Sequence, residues 1–62
     1  MSVYEIRILR DDGAIALLVA QTLSSDIAAI QSARRIAKKR RFEVWRAGQR
    51  IFPTAPLPPK TA

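Results

Sequence analysis

Six basic side chains within eight consecutive positions are the most distinctive chemical feature of the chain. Residues 34–41 include no acidic residue, and their cations are Arg34, Arg35, Lys38, Lys39, Arg40 and Arg41. The whole chain has 11 basic and 5 acidic residues, a formal net charge of +6, so everything outside this basic cluster is neutral. Such a cluster attracts polyanions, and we expect nucleic acid, an acidic protein or an anionic lipid as its partner. The alternative is a solvated helix end that keeps the protein soluble.

Residue types that usually perform catalysis are scarce. Histidine and cysteine are absent, which excludes disulfides, thiolate nucleophiles, Cys/His metal sites and histidine-based acid–base catalysis. Glu5 and Glu43 are the one pair of carboxylates that could approach each other as in a glycoside hydrolase. Charge pairing with Arg7 or Arg50 on neighbouring strands explains the same two glutamates. We therefore expect a protein that is not an enzyme and has no cofactor, no metal and no small-molecule substrate.

The scaffold that carries the basic cluster begins with a predicted β-hairpin. Val3 to Arg10 alternates as a half-buried strand does, and 14–23 forms the return strand. Between them, Asp12 and Gly13 predict a two-residue type I′ turn, in which both residues have positive φ. This register places Ile8 opposite Leu17 and Ile6 opposite Val19. One face of the hairpin then carries an apolar set made of Tyr4, Ile6, Ile8, Ile15, Leu17 and Val19.

A single helix is predicted after the hairpin. Ser24, Ser25 and Asp26 supply cap oxygens and an acidic residue for a helix N-terminus. From Asp26 to about Arg40, one stripe at helical spacing includes Ile27, Ile30, Ala33 and Ala37, flanked by Ala29 and Ile36. Because the stripe is narrow and rich in alanine, we expect the helix to approach the sheet closely.

Two short strands are predicted to complete the domain. Phe42–Arg46 forms the third strand and residues 50–52 the fourth, with a turn over 47–49 and Val44 opposite Ile51. From Pro53 onward, four prolines in seven residues predict a disordered tail over 53–62. Residues 1–52 thus form one ββαββ domain of the α+β class, a two-layer arrangement with a four-stranded, mostly antiparallel sheet and one helix on one face.

The face of the sheet opposite the helix is predicted to be apolar. It carries Leu9, Leu18 and Trp45, and we also place Phe52 there. This is more apolar surface than a small monomer leaves in water, so we expect two copies to pack these faces together as a homodimer. In one alternative the proline-rich tail covers Trp45 in a monomer. In the other, this face binds a different protein and the basic cluster is only solubilising.

Cellular location and kinship follow from less specific signals. The longest apolar run has seven residues (14–20), whereas about 20 are needed to span a bilayer. The first residues lack the layout of a secretory signal, and we expect a cytoplasmic protein with no membrane partner. The motifs YEIRIL (4–9), SARRIA (32–37) and FEVWR (42–46) resemble short uncharacterised alphaproteobacterial proteins. That resemblance implies a bacterial, cytoplasmic origin and carries over no activity and no site residue.

These observations lead to one main hypothesis. The chain is expected to be a small, non-enzymatic, dimeric binding module that presents a basic helix end to a polyanionic partner such as nucleic acid. The alternative is a structural or protein-interaction subunit that uses the sheet face bearing Trp45.

Overall fold

The chain folds into a four-stranded antiparallel sheet with one helix packed on it. A computed structural model describes residues 1–53. Along the chain the elements are β1 (Ser2–Leu9), β2 (Ile15–Leu23), α1 (Asp26–Ala37), β3 (Phe42–Arg46) and β4 (Gln49–Phe52). The strand order is β2-β1-β3-β4, and every neighbouring pair is antiparallel. The predicted ββαββ fold is confirmed. Apart from Pro53, the predicted tail lies outside the described residues.

The hairpin of β1 and β2 has the predicted central register but a different turn. Ile6 pairs with Val19 and Ile8 with Leu17, as expected. The turn is closed by the Gly13 N–H, which donates to the Arg10 carbonyl at 2.9 Å, so the central residues are Asp11 and Asp12. In this turn Gly13 alone has a positive φ (88°), and the type I′ prediction is wrong. The Asp12 carboxylate accepts a hydrogen bond from the Ala14 N–H at 3.0 Å, which stabilises the observed turn.

A β-bulge next to this turn changes which side chains face the helix. Leu9 pairs with Ile15, whereas an unbroken register would pair it with Ala16. Cross-strand partners share a face of the sheet, so Ile15 belongs with Leu9 on the face opposite the helix. The prediction that Ile15 joins the apolar set of the hairpin is therefore wrong. Leu17 stays on the helix side but is 49% exposed, because α1 does not reach over this end of β2.

The helix begins where predicted, but its buried side differs from the predicted stripe. The Ser25 side chain caps α1 by accepting from the Ala28 N–H at 3.1 Å. The buried residues of α1 are Ala29, Ala33 and Ala37, whereas Ile27 is 69% exposed. Ile27 lies two positions before Ala29 and thus about 200° around the helix, so its predicted place in the stripe is wrong.

The last strand also departs from the predicted register. Val44 pairs with Phe52 and not with Ile51, because a bulge separates that pair from Trp45 and Arg50. Phe52 therefore lies on the helix side, where its ring stacks on Phe42 with centroids 5.0 Å apart. The expectation that Phe52 lies on the opposite face is wrong. Ile51 also packs against the core.

The core lies between α1 and the middle of the sheet. Its buried residues are four from the strands and three alanines from the helix: Tyr4, Ile6, Ile8, Val44, Ala29, Ala33 and Ala37. Since alanine projects only a methyl group, the helix backbone lies close to the sheet, as its narrow stripe predicted. The other face of the sheet has no covering layer within residues 1–53.

Candidate functional site

The basic cluster (the six cations of residues 34–41) spans the end of α1 and the loop that leads to β3. Arg34 and Arg35 lie in the last turn of the helix, and the other four cations follow it. All six residues are exposed. The charges of the cluster are therefore open to solvent at the helix end and on the loop that follows it.

The helix ends earlier than predicted, and this end shapes the cluster. It stops at Ala37, three residues before Arg40, because the backbone of Lys38 leaves the helical conformation, with φ 59° and ψ −113°. The Lys38 N–H donates to the Arg34 carbonyl at 3.0 Å, and the Arg40 N–H donates to the Ala37 carbonyl at 3.1 Å. The last cations therefore lie on a tight loop beside the helix carbonyls, where the negative end of the helix dipole favours them.

Among the described residues, four of the five acidic residues pair with arginines outside the cluster, and Asp11 is the exception. Four salt bridges occur among residues 1–53, with N–O distances of 2.5 to 3.7 Å: Glu5–Arg7, Asp12–Arg10, Asp26–Arg46 and Glu43–Arg50. Within that part of the chain, none of them involves a cation of the cluster. The fold thus neutralises its other arginines and leaves the cluster with its charge available to a partner.

The turn between β1 and β2 lies beside the cluster. The Arg41 guanidinium donates to the Asp11 carbonyl oxygen at 3.2 Å. Arg40 lines a shallow pocket together with residues 9–12, which include Asp11 and Asp12. These two carboxylates offset part of the positive potential at the loop end of the cluster. Arg34, Arg35 and Lys39 do not line this pocket, and a polyanion is therefore favoured at these three cations.

The sheet face opposite the helix carries charged groups among its apolar ones. The Arg7 guanidinium carbon lies 4.2 Å from the centroid of the Trp45 ring. The Trp45 indole N–H donates to Glu43 at 3.0 Å, and Glu43 also pairs with Arg50 at 3.7 Å. Trp45 is consequently half-buried by its own neighbours. Of the other residues predicted to form an interface here, Leu9 is half-buried and Leu18 is 55% exposed.

The two glutamates on this face have separate partners. Glu5 lies opposite Trp45, and Arg7 lies opposite Glu43, so the carboxylates are offset from each other across β1 and β3. Glu5 accepts a hydrogen bond from the Arg7 Nε at 2.5 Å. Both glutamates are thus paired with arginines: Glu43 with Arg50 on the neighbouring strand, as expected, but Glu5 with Arg7 on its own strand.

A polar cluster that sequence reasoning missed fixes the start of α1 to the sheet. Tyr4 donates to the Asp26 Oδ1 at 2.6 Å, and Arg46 donates to the same oxygen at 2.5 Å. The hydrogen bond to Asp26, with a smaller effect of burial, raises the pKa of Tyr4 above its ordinary value. Tyr4 and Arg46 are cross-strand partners, and this pairing could be found only from the sheet order.

Comparisons with known proteins add no identification. The chain matches no family model, no curated protein and no solved structure. Across residues 1–53, no helix is long and apolar enough to cross a membrane. In the same residues, no three acidic side chains come together as a metal site would require.

Proposed function

We propose that this protein is a non-enzymatic module that binds the phosphate backbone of nucleic acid through its basic cluster. One observation carries the proposal: six exposed cations adjoin one another and form no salt bridge within residues 1–53. The other four arginines of the described chain all pair with acids. Exposed cations without acidic partners bind phosphates by releasing counterions from the nucleic acid.

The proposed mode of binding is electrostatic and does not depend on base sequence. Single-strand readers stack bases on exposed aromatic rings. Here Phe42 stacks on Phe52, and Trp45 is engaged by Arg7 on the face away from the helix. The cluster therefore offers cations without an aromatic platform. We expect similar affinity for duplexes of different sequence and a steep loss of affinity with salt.

Two matched double variants test this proposal. Arg35→Gln/Lys39→Gln removes two charges of the cluster, and Arg10→Gln/Arg50→Gln removes two charges that are paired with acids. The fluorescence anisotropy of a labelled DNA duplex measures binding at several salt concentrations. The cluster variant should bind the duplex about tenfold more weakly. In a plot of the logarithm of the binding constant against the logarithm of the salt concentration, its slope should be less steep by about 2. Equal losses in the two variants, or no loss in either, would refute the role of the cluster.

A second candidate function uses the open sheet face. Val3 and Leu18 are 63% and 55% exposed on that face, which favours a protein-interaction subunit whose cations only keep it soluble. In that case the cluster variant binds the duplex as the wild type does. Leu18→Ser then weakens association with the partner chain, while the anisotropy of the duplex stays unchanged.

A further inference from the structure

Strand β2 forms an open edge of the sheet, and its outward backbone groups can be assigned. The Leu9 N–H donates to the Arg41 carbonyl on the β3 side, whereas the Arg10 N–H donates to Ala14 on the β2 side. Even-numbered residues of β1 therefore point their backbone groups toward β2, and they pair there with odd-numbered residues. It follows that Leu18, Ala20 and Thr22 direct their N–H and C=O groups away from the sheet.

This edge lacks the features that normally prevent an edge strand from pairing with a strand of another chain. β2 reads IALLVAQTL and contains no charged residue, no proline and no glycine. Each of the other three strands includes at least one charged residue. The one irregularity of β2 lies at its start, beside Ile15, so the register from Leu17 to Leu23 is regular. A long uncharged edge of this kind is a template for another strand.

Exposed leucines stand on both sides of the same edge. Leu17 lies on the helix side and Leu18 on the open side, and about half of each is exposed. A solvent-exposed edge strand normally carries polar side chains on at least one of the two faces of the sheet. A strand added along β2 would cover parts of both leucines while it satisfies the outward backbone groups.

We propose that a second copy of this chain pairs with β2 edge to edge and forms one continuous eight-stranded sheet. The pairing is antiparallel, with a two-fold axis at Ala20. Ala20 then faces Ala20 of the second copy, and Leu18 faces Thr22. This register uses all three residues whose backbone groups point outward, each pair exchanging two hydrogen bonds. It also sets Leu17 opposite Leu23 on the helix side.

The charges of the molecule favour a second copy as the occupant. When β2 pairs with β2 of a second copy, no charged side chains lie opposite each other, because this strand has none. The basic cluster lies at the same end as the β1–β2 turn, because Arg41 contacts Asp11. An antiparallel pairing puts the two turns, and the two clusters, at opposite ends of the shared interface. Residues 54–62 are a poorer occupant, since three of them are prolines, which have no N–H to donate.

Cysteine cross-linking tests both the surface and the register. The chain has no native cysteine, so each variant carries a single thiol. Ala20→Cys should form a disulfide-linked dimer with oxidised glutathione, because directly opposed hydrogen-bonded residues lie about 5.5 Å apart. Ala16→Cys is the matched control, an exposed alanine on the same strand. In the proposed register its two copies lie about 26 Å apart, and it should stay unlinked.

Sedimentation equilibrium gives the second measurement. The wild type should sediment as a dimer, and Ala20→Lys as a monomer, because it places two ammonium groups opposite each other on the two-fold axis. Ala16→Lys adds the same charge and should remain dimeric. Circular dichroism confirms that each variant folds.

Three results would overturn the proposal. The first is a wild type that stays monomeric into the millimolar range. The second is a dimer that survives Ala20→Lys, and the third is equal cross-linking at positions 16 and 20. A dimer that survives Ala20→Lys and shows altered Trp45 emission on dilution assigns the contact to the face bearing Trp45. None of these results depends on binding of the DNA duplex, so the proposed function is tested separately.

Discussion

The guanidinium of Arg7 lies over the indole ring of Trp45, 4.2 Å from its centroid. The two residues occupy the central strands β1 and β3, and Arg7 also pairs with Glu5 at 2.5 Å. A cation held by a carboxylate therefore shields the largest side chain of the open sheet face. The exposed apolar surface of that face consequently consists mainly of Val3, Ile15 and Leu18.

The first prediction concerns this contact. Arg7→Ala should move the Trp45 emission to longer wavelength, because water replaces the guanidinium over the ring. It should lower the free energy of unfolding by about 1 kcal/mol. Arg10→Ala is the control, since Arg10 pairs with Asp12 on an exposed turn, and it should leave the emission unchanged. Fluorescence spectra and urea unfolding measure both effects. An unshifted emission in Arg7→Ala would show that the ring is shielded in another way.

The second prediction concerns the turn between β3 and β4. Ala47 and Gly48 have φ of 50° and 77°, and Arg46 pairs with Gln49 across them. An alanine in this left-handed conformation is strained, whereas asparagine is tolerated there. Ala47→Asn should therefore raise the free energy of unfolding by about 0.5–1 kcal/mol.

Gly48→Ala is the companion variant for this turn. A Cβ at Gly48 meets nothing within 4 Å, so Gly48→Ala introduces no steric clash with other residues. It should still lower the free energy of unfolding by about 1 kcal/mol, because alanine is strained at this positive φ. Chemical denaturation compares the two variants. Changes of the same sign in both would contradict the assigned turn geometry.

The third prediction concerns alkaline pH. The hydrogen bond to Asp26, with burial, raises the pKa of Tyr4 above its value in the unfolded chain, about 10. The unfolded chain then loses this proton at a lower pH than the folded protein does. The stability that Tyr4 contributes is complete below pH 10 and is lost as the pH rises toward its folded pKa.

Tyr4→Phe isolates this effect. Tyr4 is the single tyrosine, so phenolate absorbance follows its titration without interference. Urea unfolding from neutral to alkaline pH should show a steeper loss of stability in the wild type than in Tyr4→Phe. Parallel curves would mean that the hydrogen bond does not shift the titration.

The fourth prediction concerns the alanine stripe of α1. Ala33 is fully buried against the sheet, so Ala33→Leu must push the helix away from Ile6 and Val44. We expect a loss of about 1–3 kcal/mol in the free energy of unfolding. Gln31→Leu places the same side chain at an exposed position of the helix and should change stability by less than about 0.5 kcal/mol. Thermal unfolding distinguishes them, and equal stability of the two variants would argue against close packing of the helix.

Local chemistry in the sequence determined much of the fold. Alternation in β1, the apolar pairs Ile6–Val19 and Ile8–Leu17, and the cap at Ser25 each depend on residues near one another in the chain. The element order and the first register follow from them, because side-chain periods of two and 3.6 residues are set by the backbone. The basic cluster and its exposure could also be predicted from the sequence, since consecutive cations cannot be buried without partners.

The tertiary structure decided the features that depend on distant residues. The sheet order makes β2 an edge, brings Tyr4 and Arg46 to Asp26, and sets Arg7 over Trp45. Two bulges move Ile15 and Phe52 to faces that a regular alternation does not give them. A bulge adds one residue to one strand, so the side chains on its two sides no longer follow a single alternation. Packing against the rest of the molecule, and not the preference of any one segment, selects where it occurs.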